Sequence, residues 1–418
     1  MRVFWRNPLR VSRKRARLDI IVRARYPWFQ EKKIRQKTHS TEVKPEQVVL
    51  VGVRSKSQDR GWSAADSLDE LAHLARTAGA DVVGRLTQRL DAPSPTHYIG
   101  KGKIQELIDL RGETPYDTAI FDDELAPRQQ RNLEDALGVR VIDRSALILD
   151  IFARRARTSE GKLQVELAQH QYLLPRLVGQ WKHLERLGGG IGTRGPGEAQ
   201  LETDRRLISK RIGLLKEKLE SVRKHRSLYR QRRKEEGIQI VALVGYTNAG
   251  KSTLFNALSK AGVDAEDKLF ATLDPVTRRV GLPDGEQILI TDTVGFIHKL
   301  PPSLIAAFRA TLEELDEADL LLHVVDITHR NAGHQCLTVE GILRDLRLER
   351  KPRLTVFNKI DLALGTEAES ESLDMIPGLE EVVLPSEGIV LISAARGWGM
   401  DRLMNKVESR LKAAHQIG

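Results

Sequence analysis

The sequence predicts an α/β protein in three structured parts: a small N-terminal domain on a parallel sheet, an antiparallel helical hairpin, and a second α/β domain around a phosphate-binding loop. Three observations carry the prediction. From Val48 onward, short apolar runs alternate with amphipathic stretches, the pattern of a parallel sheet covered on both faces. Residues 160–236 switch to a seven-residue apolar spacing, the mark of paired helices. Ile238–Val244 is an apolar run that leads into a glycine-containing loop and a helical stretch, the order in which a P-loop is built. The expected divisions are a basic, disordered arm at 1–45, the N-terminal domain at 46–158, the hairpin at 159–236 and the P-loop domain at 237–418.

The elements follow in order. Residues 1–40 carry 13 basic against 2 acidic side chains and five aromatics, without a sustained period. Three readings stay open for this arm: contact with RNA phosphates and bases, a solvated tail, or an organellar transit peptide. Val48–Val53 reads as a buried strand, and Ser63–Ala78 as a helix with Leu68, Leu71 and Leu74 on one face. Asp81–Leu90 is a strand, and Tyr98-Ile99-Gly100-Lys101-Gly102-Lys103 opens a helix. This turn could hold a phosphate of RNA or of a second nucleotide, or be a plain turn. Thr118–Phe121 is a strand ending in Asp122-Asp123-Glu124; Ala126–Leu137 and Ser145–Ala156 are helices on either side of a strand at Val139–Ile142. In the hairpin, Leu163, His170, Leu177 and Leu184 form one seven-residue series, and Leu201, Ile208, Leu215 and Val222 the other. Pro175 is expected to kink the first helix. Gly188–Gly197, with Arg194 at its centre, forms a long tip, either a reaching loop or an ordinary connector.

Charge follows the same divisions. The chain has 418 residues and a formal net charge of +10. Residues 161–236 hold 18 bases against 9 acids, whereas 41–160 hold 17 against 20 and 237–418 hold 19 against 26. Two basic segments therefore alternate with two acidic bodies, which directs attention to a polyanionic partner. The composition, 40% apolar and 30% charged with a mean hydropathy of −0.35, is that of a soluble protein. No apolar run reaches the about 20 residues of a membrane span. The single cysteine, Cys336, excludes an internal disulfide or a multi-cysteine metal cage and suits a reducing, cytoplasmic compartment. A monomer in solution is expected.

The chemistry gathers in the last domain. In Gly245-Tyr246-Thr247-Asn248-Ala249-Gly250-Lys251-Ser252, the glycines let backbone amides wrap phosphates at a helix N-terminus. Lys251 can neutralise the β- and γ-phosphates, and Ser252 can ligate Mg²⁺. Asp292-Thr293-Val294-Gly295 follows a strand at Gln287–Ile290: Asp292 would hold Mg²⁺ through water, and the Gly295 amide would sense the γ-phosphate. Asn358-Lys359-Ile360-Asp361 ends the strand Leu354–Phe357. A carboxylate there can accept guanine N1–H and the 2-amino group, a donor pair adenine lacks. Ser393-Ala394-Ala395 ends the strand Ile389–Ile392, and its amides can address guanine O6. Between the P-loop and Asp292, Phe270-Ala271-Thr272-Leu273-Asp274 offers Thr272 as the switch threonine, its hydroxyl on Mg²⁺ and its amide on the γ-phosphate. The expected reaction is in-line attack of water on the γ-phosphorus of GTP, with Lys251, Thr272 and Gly295 as the catalytic groups. Phe296 follows Gly295 where a glutamine could have oriented the water, so intrinsic turnover is expected to be slow. Asn248 could support K⁺ beside the phosphates.

Over about residues 48–412 the chain resembles the HflX-type GTPases. The resemblance rests on Tyr98–Lys103, Tyr172-Leu173-Leu174-Pro175-Arg176-Leu177, Gly192-Thr193-Arg194-Gly195-Pro196-Gly197-Glu198 and Phe270–Asp274 besides the P-loop. It implies a Ras-like G domain and binding to the large ribosomal subunit and its rRNA near the peptidyl-transferase centre. It further implies splitting or rescue of stalled ribosomes. Family members often carry a further C-terminal domain, whereas here a helix at about 400–413 follows the Ser393–Ala395 loop, so that domain's contacts are not carried over. Asn248 matches the P-loops of related potassium-dependent GTPases. Two other readings are weighed beside this one: a large-subunit assembly factor, and a nucleotide-dependent RNA-remodelling enzyme with ATP at the Tyr98–Lys103 turn.

Overall fold

The computed structural model describes residues 45–55, 62–177, 196–235, 237–260, 269–301, 304, 314–364 and 388–415. The basic arm and all of the Gly188–Gly197 tip except Pro196 and Gly197 lie outside these residues.

The N-terminal sheet has four parallel strands in the order β2-β1-β3-β4: β1 (Glu46–Ser55), β2 (Ala80–Leu90), β3 (Thr118–Phe121) and β4 (Arg140–Asp143). Helices cover both faces, as the alternation of signals requires: the crossovers α1 (Ala64–Thr77), α2 (Lys101–Glu113) and α3 (Pro127–Leu137), and α4 (Arg144–Arg155) after the last strand. Ser63 caps α1 by accepting from Asp66 N–H at 3.0 Å, while the Asp66 carboxylate accepts from Ser63 N–H at 3.2 Å, a reciprocal capping box. Pro127 starts α3, and Gly138, left-handed at φ +62°, ends it. Alternate residues of β1 enter different cores. Val49, Val51 and Val53 pack with Leu107 of α2 and Leu133 of α3, and Val48 and Leu50 with Leu71 of α1 and Ile148 of α4.

Two long helices follow, α5 (Ser159–Leu177) and α6 (Pro196–Glu235), cross-tied by Arg211 to Glu166 at 2.5 Å and Arg226 to Glu160 at 3.1 Å. Pro175 lies inside α5, which runs on through it to Leu177. The seam differs in part from the heptad reading. Ile208 and Leu215 of α6 and His170 and Leu177 of α5 are buried, but Leu163 at the head of the α5 series is only half-buried. Val165, Ala168, Tyr172 and Leu173 sink into the core instead, because α5 packs against the rest of the molecule as well as against its hairpin partner. Polar residues complete this docking. Asp143, the cap of α4, accepts from Tyr172 Oη at 3.0 Å and Arg176 Nη2 at 2.9 Å, and the Arg176 guanidinium lies 3.6 Å over the Tyr172 ring. The Tyr172–Leu177 motif thus binds α5 to the N-terminal sheet.

The second sheet has the order β10-β9-β8-β5-β7-β6, with β5 (Ile240–Gly245), β6 (Val276–Gly281), β7 (Gln287–Asp292), β8 (Leu320–Asp326), β9 (Arg353–Asn358) and β10 (Ile389–Leu391). Only β6 runs antiparallel, against β7. Its helices include α7 (Lys251–Ser259), α8 (Ala332–Asp345), α9 (Ile360–Leu364) and α10 (Met400–His415). Val241 and Leu243 face a core with Phe255, Leu403 and Val407. Ile240, Ala242 and Val244 face the other way, into the core already occupied by Leu71, Ile148, Phe152 and Val165. The two sheets therefore share one continuous apolar core through α4 and α5. Among the described residues no helix is long and apolar enough to cross a membrane.

Candidate nucleotide site

The site lies where β5, β7, β9 and β10 end, the carboxyl edge at which open α/β sheets bind ligands. The loop from β5 to α7 has Asn248 at φ +62° and Gly250 at φ +89°. A side chain on Gly250 would overlap the Asn358 amide, and one on Gly245 the Val324 carbonyl, so both glycines answer a close approach as well as a turn.

Lys251 is buried, and its ammonium donates to the carbonyls of Tyr246 at 2.8 Å and Gly245 at 3.2 Å. Burial pulls its pKa down to about 8, partly opposed by Asp292. Ser252, Thr272 and Asp292 converge. Ser252 Oγ lies 2.8 Å from Thr272 Oγ1, and each hydroxyl donates to Asp292 Oδ2 at 2.7 Å. Burial raises the Asp292 pKa against the pull of Lys251, and its other oxygen, Oδ1, is buried without a hydrogen-bond partner. Two hydroxyls and a carboxylate with an unused buried oxygen form a hard, all-oxygen donor set that fits Mg²⁺. Among the described residues, no cluster of three His, Cys, Asp or Glu offers a competing metal site.

The segment after β7 is tied to the P-loop by Phe296 N–H to Gly245 O at 3.0 Å and Thr247 N–H to Phe296 O at 2.7 Å. A Cβ on Gly295 would stand 2.8 Å from Thr247 Cα and 2.9 Å from Lys251 Nζ, so only glycine passes here. Thr293 Oγ1 donates to Leu243 O at 2.6 Å, and Val294 and Phe296 are buried in the shared core. The Phe296 ring thus packs inward.

At the other end, Asn358 donates from Nδ2 to Ala249 O and accepts from Ala394 N–H, both at 3.0 Å. Its side chain cross-braces the P-loop and the Ser393–Ala395 loop. Lys359, at φ +69°, pairs with Asp326 at 2.8 Å. Ile360 is buried, while Asp361 on the first turn of α9 is half-buried. Ser393 accepts from Arg396 N–H at 3.1 Å, and Ala395 is exposed.

Of Phe270–Asp274, only Thr272 reaches the P-loop through its side chain. Asp274, expected at the nucleotide, instead accepts from the N–H groups of Arg157 and Thr158 at 2.7 and 2.8 Å. Phe270 packs edge-on against Phe152 at 4.7 Å, and Leu273 is buried in the shared core.

Sequence reasoning missed what the N-terminal domain contributes. Tyr246 Oη donates to Glu70 and accepts from His298 N–H at 2.6 Å. Glu70 pairs with Arg144, itself paired with Asp122 at 2.8 Å; Lys299 reaches Asp122 at 2.5 Å and Asp123 at 2.6 Å. Burial raises the Glu70 pKa, with Arg144 the chief opposing influence. Trp62 stacks on His298 at 4.8 Å. Burial, then Arg144 and Lys299, push the His298 pKa down to about 4, so it stays neutral. Asp122 and Asp123 of the acidic triplet expected after β3 thus serve contacts across the two sheets. Residue spacing along the chain holds no signal for these pairings.

Three family models match in succession: "GTP-binding GTPase N-terminal" over 65–153, "GTP-binding GTPase Middle Region" over 155–233 and "50S ribosome-binding GTPase" over 240–359. The GTPase HflX of Caldanaerobacter subterraneus subsp. tengcongensis is 51% identical over 366 residues, covering 88% of this chain and 81% of the relative. That of Escherichia coli is 44% identical over 366 residues, covering 88% and 83%. A solved GTP-binding protein from Sulfolobus solfataricus in complex with GDP is 26% identical, covering 89% of this chain and all of the other, at a TM-score of 0.43. With relatives this similar over most of its length, the chain belongs to the HflX family of P-loop GTPases, enzymes that bind guanine nucleotides and hydrolyse GTP.

Proposed function

We propose that this GTPase is a switch of the large ribosomal subunit that splits or rescues stalled ribosomes, with the N-terminal domain and hairpin on rRNA. The observation that carries it is α6. Its 40 residues span about 60 Å and hold 13 basic against 6 acidic side chains. Several Lys/Arg–phosphate contacts along such a helix give strong, salt-sensitive binding. The family model described as a 50S ribosome-binding GTPase supports the same partner. On this reading the working divisions are those expected from the sequence, at 46–158, 159–236 and 237–418.

In the nucleotide site, Lys251 and the amides of 245–252 hold the β- and γ-phosphates. Ser252 and Thr272 would ligate Mg²⁺ directly and Asp292 through water; the metal supplies charge neutralisation across the phosphates. Asp361 selects guanine, and the Ser393–Ala395 amides address its O6. Asn358 acts indirectly, by bracing the two loops. Water attacks the γ-phosphorus in line, and the bond to the β-phosphate oxygen breaks to leave GDP and phosphate. Phe296 packs inward, so the group that orients this water comes from the ribosome or from K⁺ near Asn248, and turnover without the ribosome is slow.

Sedimentation of intact ribosomes with the protein and a non-hydrolysable GTP analogue tests the splitting role. Conversion to free subunits is expected; undiminished intact ribosomes would refute it.

A further inference from the structure

We propose that Asp274 is a positioning residue for Thr272, acting as a latch through which the helical hairpin controls the nucleotide site. The proposal deepens the reading above and rests on its assignment of Thr272 as the switch threonine.

The segment 270–274 is divided between two neighbours. Thr272 alone turns its side chain to the P-loop, with its hydroxyl on Ser252 and Asp292. Phe270 turns to Phe152 of α4, Asp274 to the link between α4 and α5, and Leu273 is buried in the shared core. Phe270 is held at φ +57°, a backbone region in which a bulky side chain is strained, with its ring against Phe152. Two residues beyond Thr272, the Asp274 carboxylate sits on the entry to α5. Its Oδ2 accepts from Arg157 and Thr158 N–H, and its Oδ1 accepts from Thr158 Oγ1 at 2.5 Å. Thr158 Oγ1 in turn accepts from Gly161 N–H at 2.9 Å. These are charge-assisted bonds near the positive end of a helix dipole, where a carboxylate is favoured.

Gly161 makes the seat possible. A Cβ there would overlap Asp274 Oδ1 and stand 3.1 Å from Thr158 Oγ1, although nothing about its backbone requires glycine in the first turn of a helix. The far end of α6 meets the same turn, since Arg226 pairs with Glu160 of α5 and also with Glu314 at 3.5 Å. Both hairpin helices thus converge on the latch. RNA that engages the hairpin in this docked position keeps the carboxylate on its donors and Thr272 on the P-loop. By linkage, a γ-phosphate that holds Thr272 strengthens the hairpin's docked position by the same factor.

The test uses the full chain with Asp274→Ala, Gly161→Ala, the double variant, Asp274→Asn and Thr272→Ala. Affinities for GDP and a non-hydrolysable GTP analogue are measured against Mg²⁺ concentration, together with thermal unfolding. Each of the first two changes should lower the analogue-to-GDP affinity ratio tenfold or more and leave GDP affinity within twofold. Asp274→Asn, which keeps one acceptor oxygen, should recover part of the ratio. Gly161→Ala favours helix formation, so its loss cannot come from a weakened α5. The double variant should be no worse than Asp274→Ala alone, since both changes break one contact. Additive losses, or equal losses of GDP and analogue affinity, would overturn the latch. A wild-type ratio in both single variants, with Thr272→Ala impaired, would overturn the latch and leave the switch assignment standing. A wild-type ratio in Thr272→Ala would remove both.

Discussion

Lys251 makes nucleotide binding depend on pH in a way that can be worked from its surroundings. It is 6% exposed, its ammonium rests on two carbonyl oxygens, and burial lowers its pKa to about 8. A polyphosphate against Nζ favours the charged form, so the pKa rises on binding. Above pH 8 the free protein must therefore take up a proton to bind. Apparent GDP affinity then falls by the fraction of Lys251 that is neutral, about fivefold between about pH 7.0 and 8.7, or about 1 kcal/mol. That interval stays below ionisation of the guanine N1–H. Isothermal titration of GDP in buffers of different ionisation enthalpy gives the proton count directly. The expected uptake is about 0.1 proton per GDP near pH 7 and about 0.8 near pH 8.7, from the titration of one group. Flat affinity with no uptake over this interval would refute the argument that a desolvated lysine carries the phosphate contact.

Other consequences can be checked separately. Asp361→Asn should shift triphosphate preference from GTP toward xanthosine triphosphate by at least tenfold in competition binding; an unchanged preference removes Asp361 from base recognition. Replacing K⁺ by Na⁺ should slow turnover several-fold if Asn248 supports a monovalent cation, and equal rates would exclude that role. The pKa of His298, pushed down to about 4, predicts that stability falls as pH drops from about 6.5 toward 4, because the unfolded chain takes up a proton that the folded chain resists. His298→Phe, which keeps an aromatic ring against Trp62, should flatten the fall of the unfolding midpoint over that interval. An equally steep fall would place the acid sensitivity elsewhere.

Local features were the legible ones. Thr118–Phe121, a β-branched residue and three apolar ones between Asp117 and Asp122, reads as a strand, and β3 has those bounds. The P-loop was readable because its glycines, Lys251 and Ser252 do their work within eight residues of one another. The strand β6 escaped notice because Arg278 and Arg279 occupy its middle; it is an edge strand, where exposed charge guards against pairing. Helix α8 carries Gly333 and Gly341, which blur its period. The contacts that set the site's geometry were invisible for a different reason. Asp274 meets Thr158 across 116 residues and Tyr246 meets Glu70 across 176. A shared core, which the pattern of each helix alone does not specify, brings them together. The heptad reading of α5 held for His170 and Leu177, which are buried, but not for Leu163, since that helix packs against two neighbours and the spacing describes one.

On the proposed reading, GTP hydrolysis is slow until the large ribosomal subunit engages the protein. GTP turnover with and without isolated large subunits tests it most directly. A stimulation of tenfold or more is expected, weakening as salt rises, as phosphate contacts require. Turnover that is the same with and without large subunits at every salt concentration would contradict it.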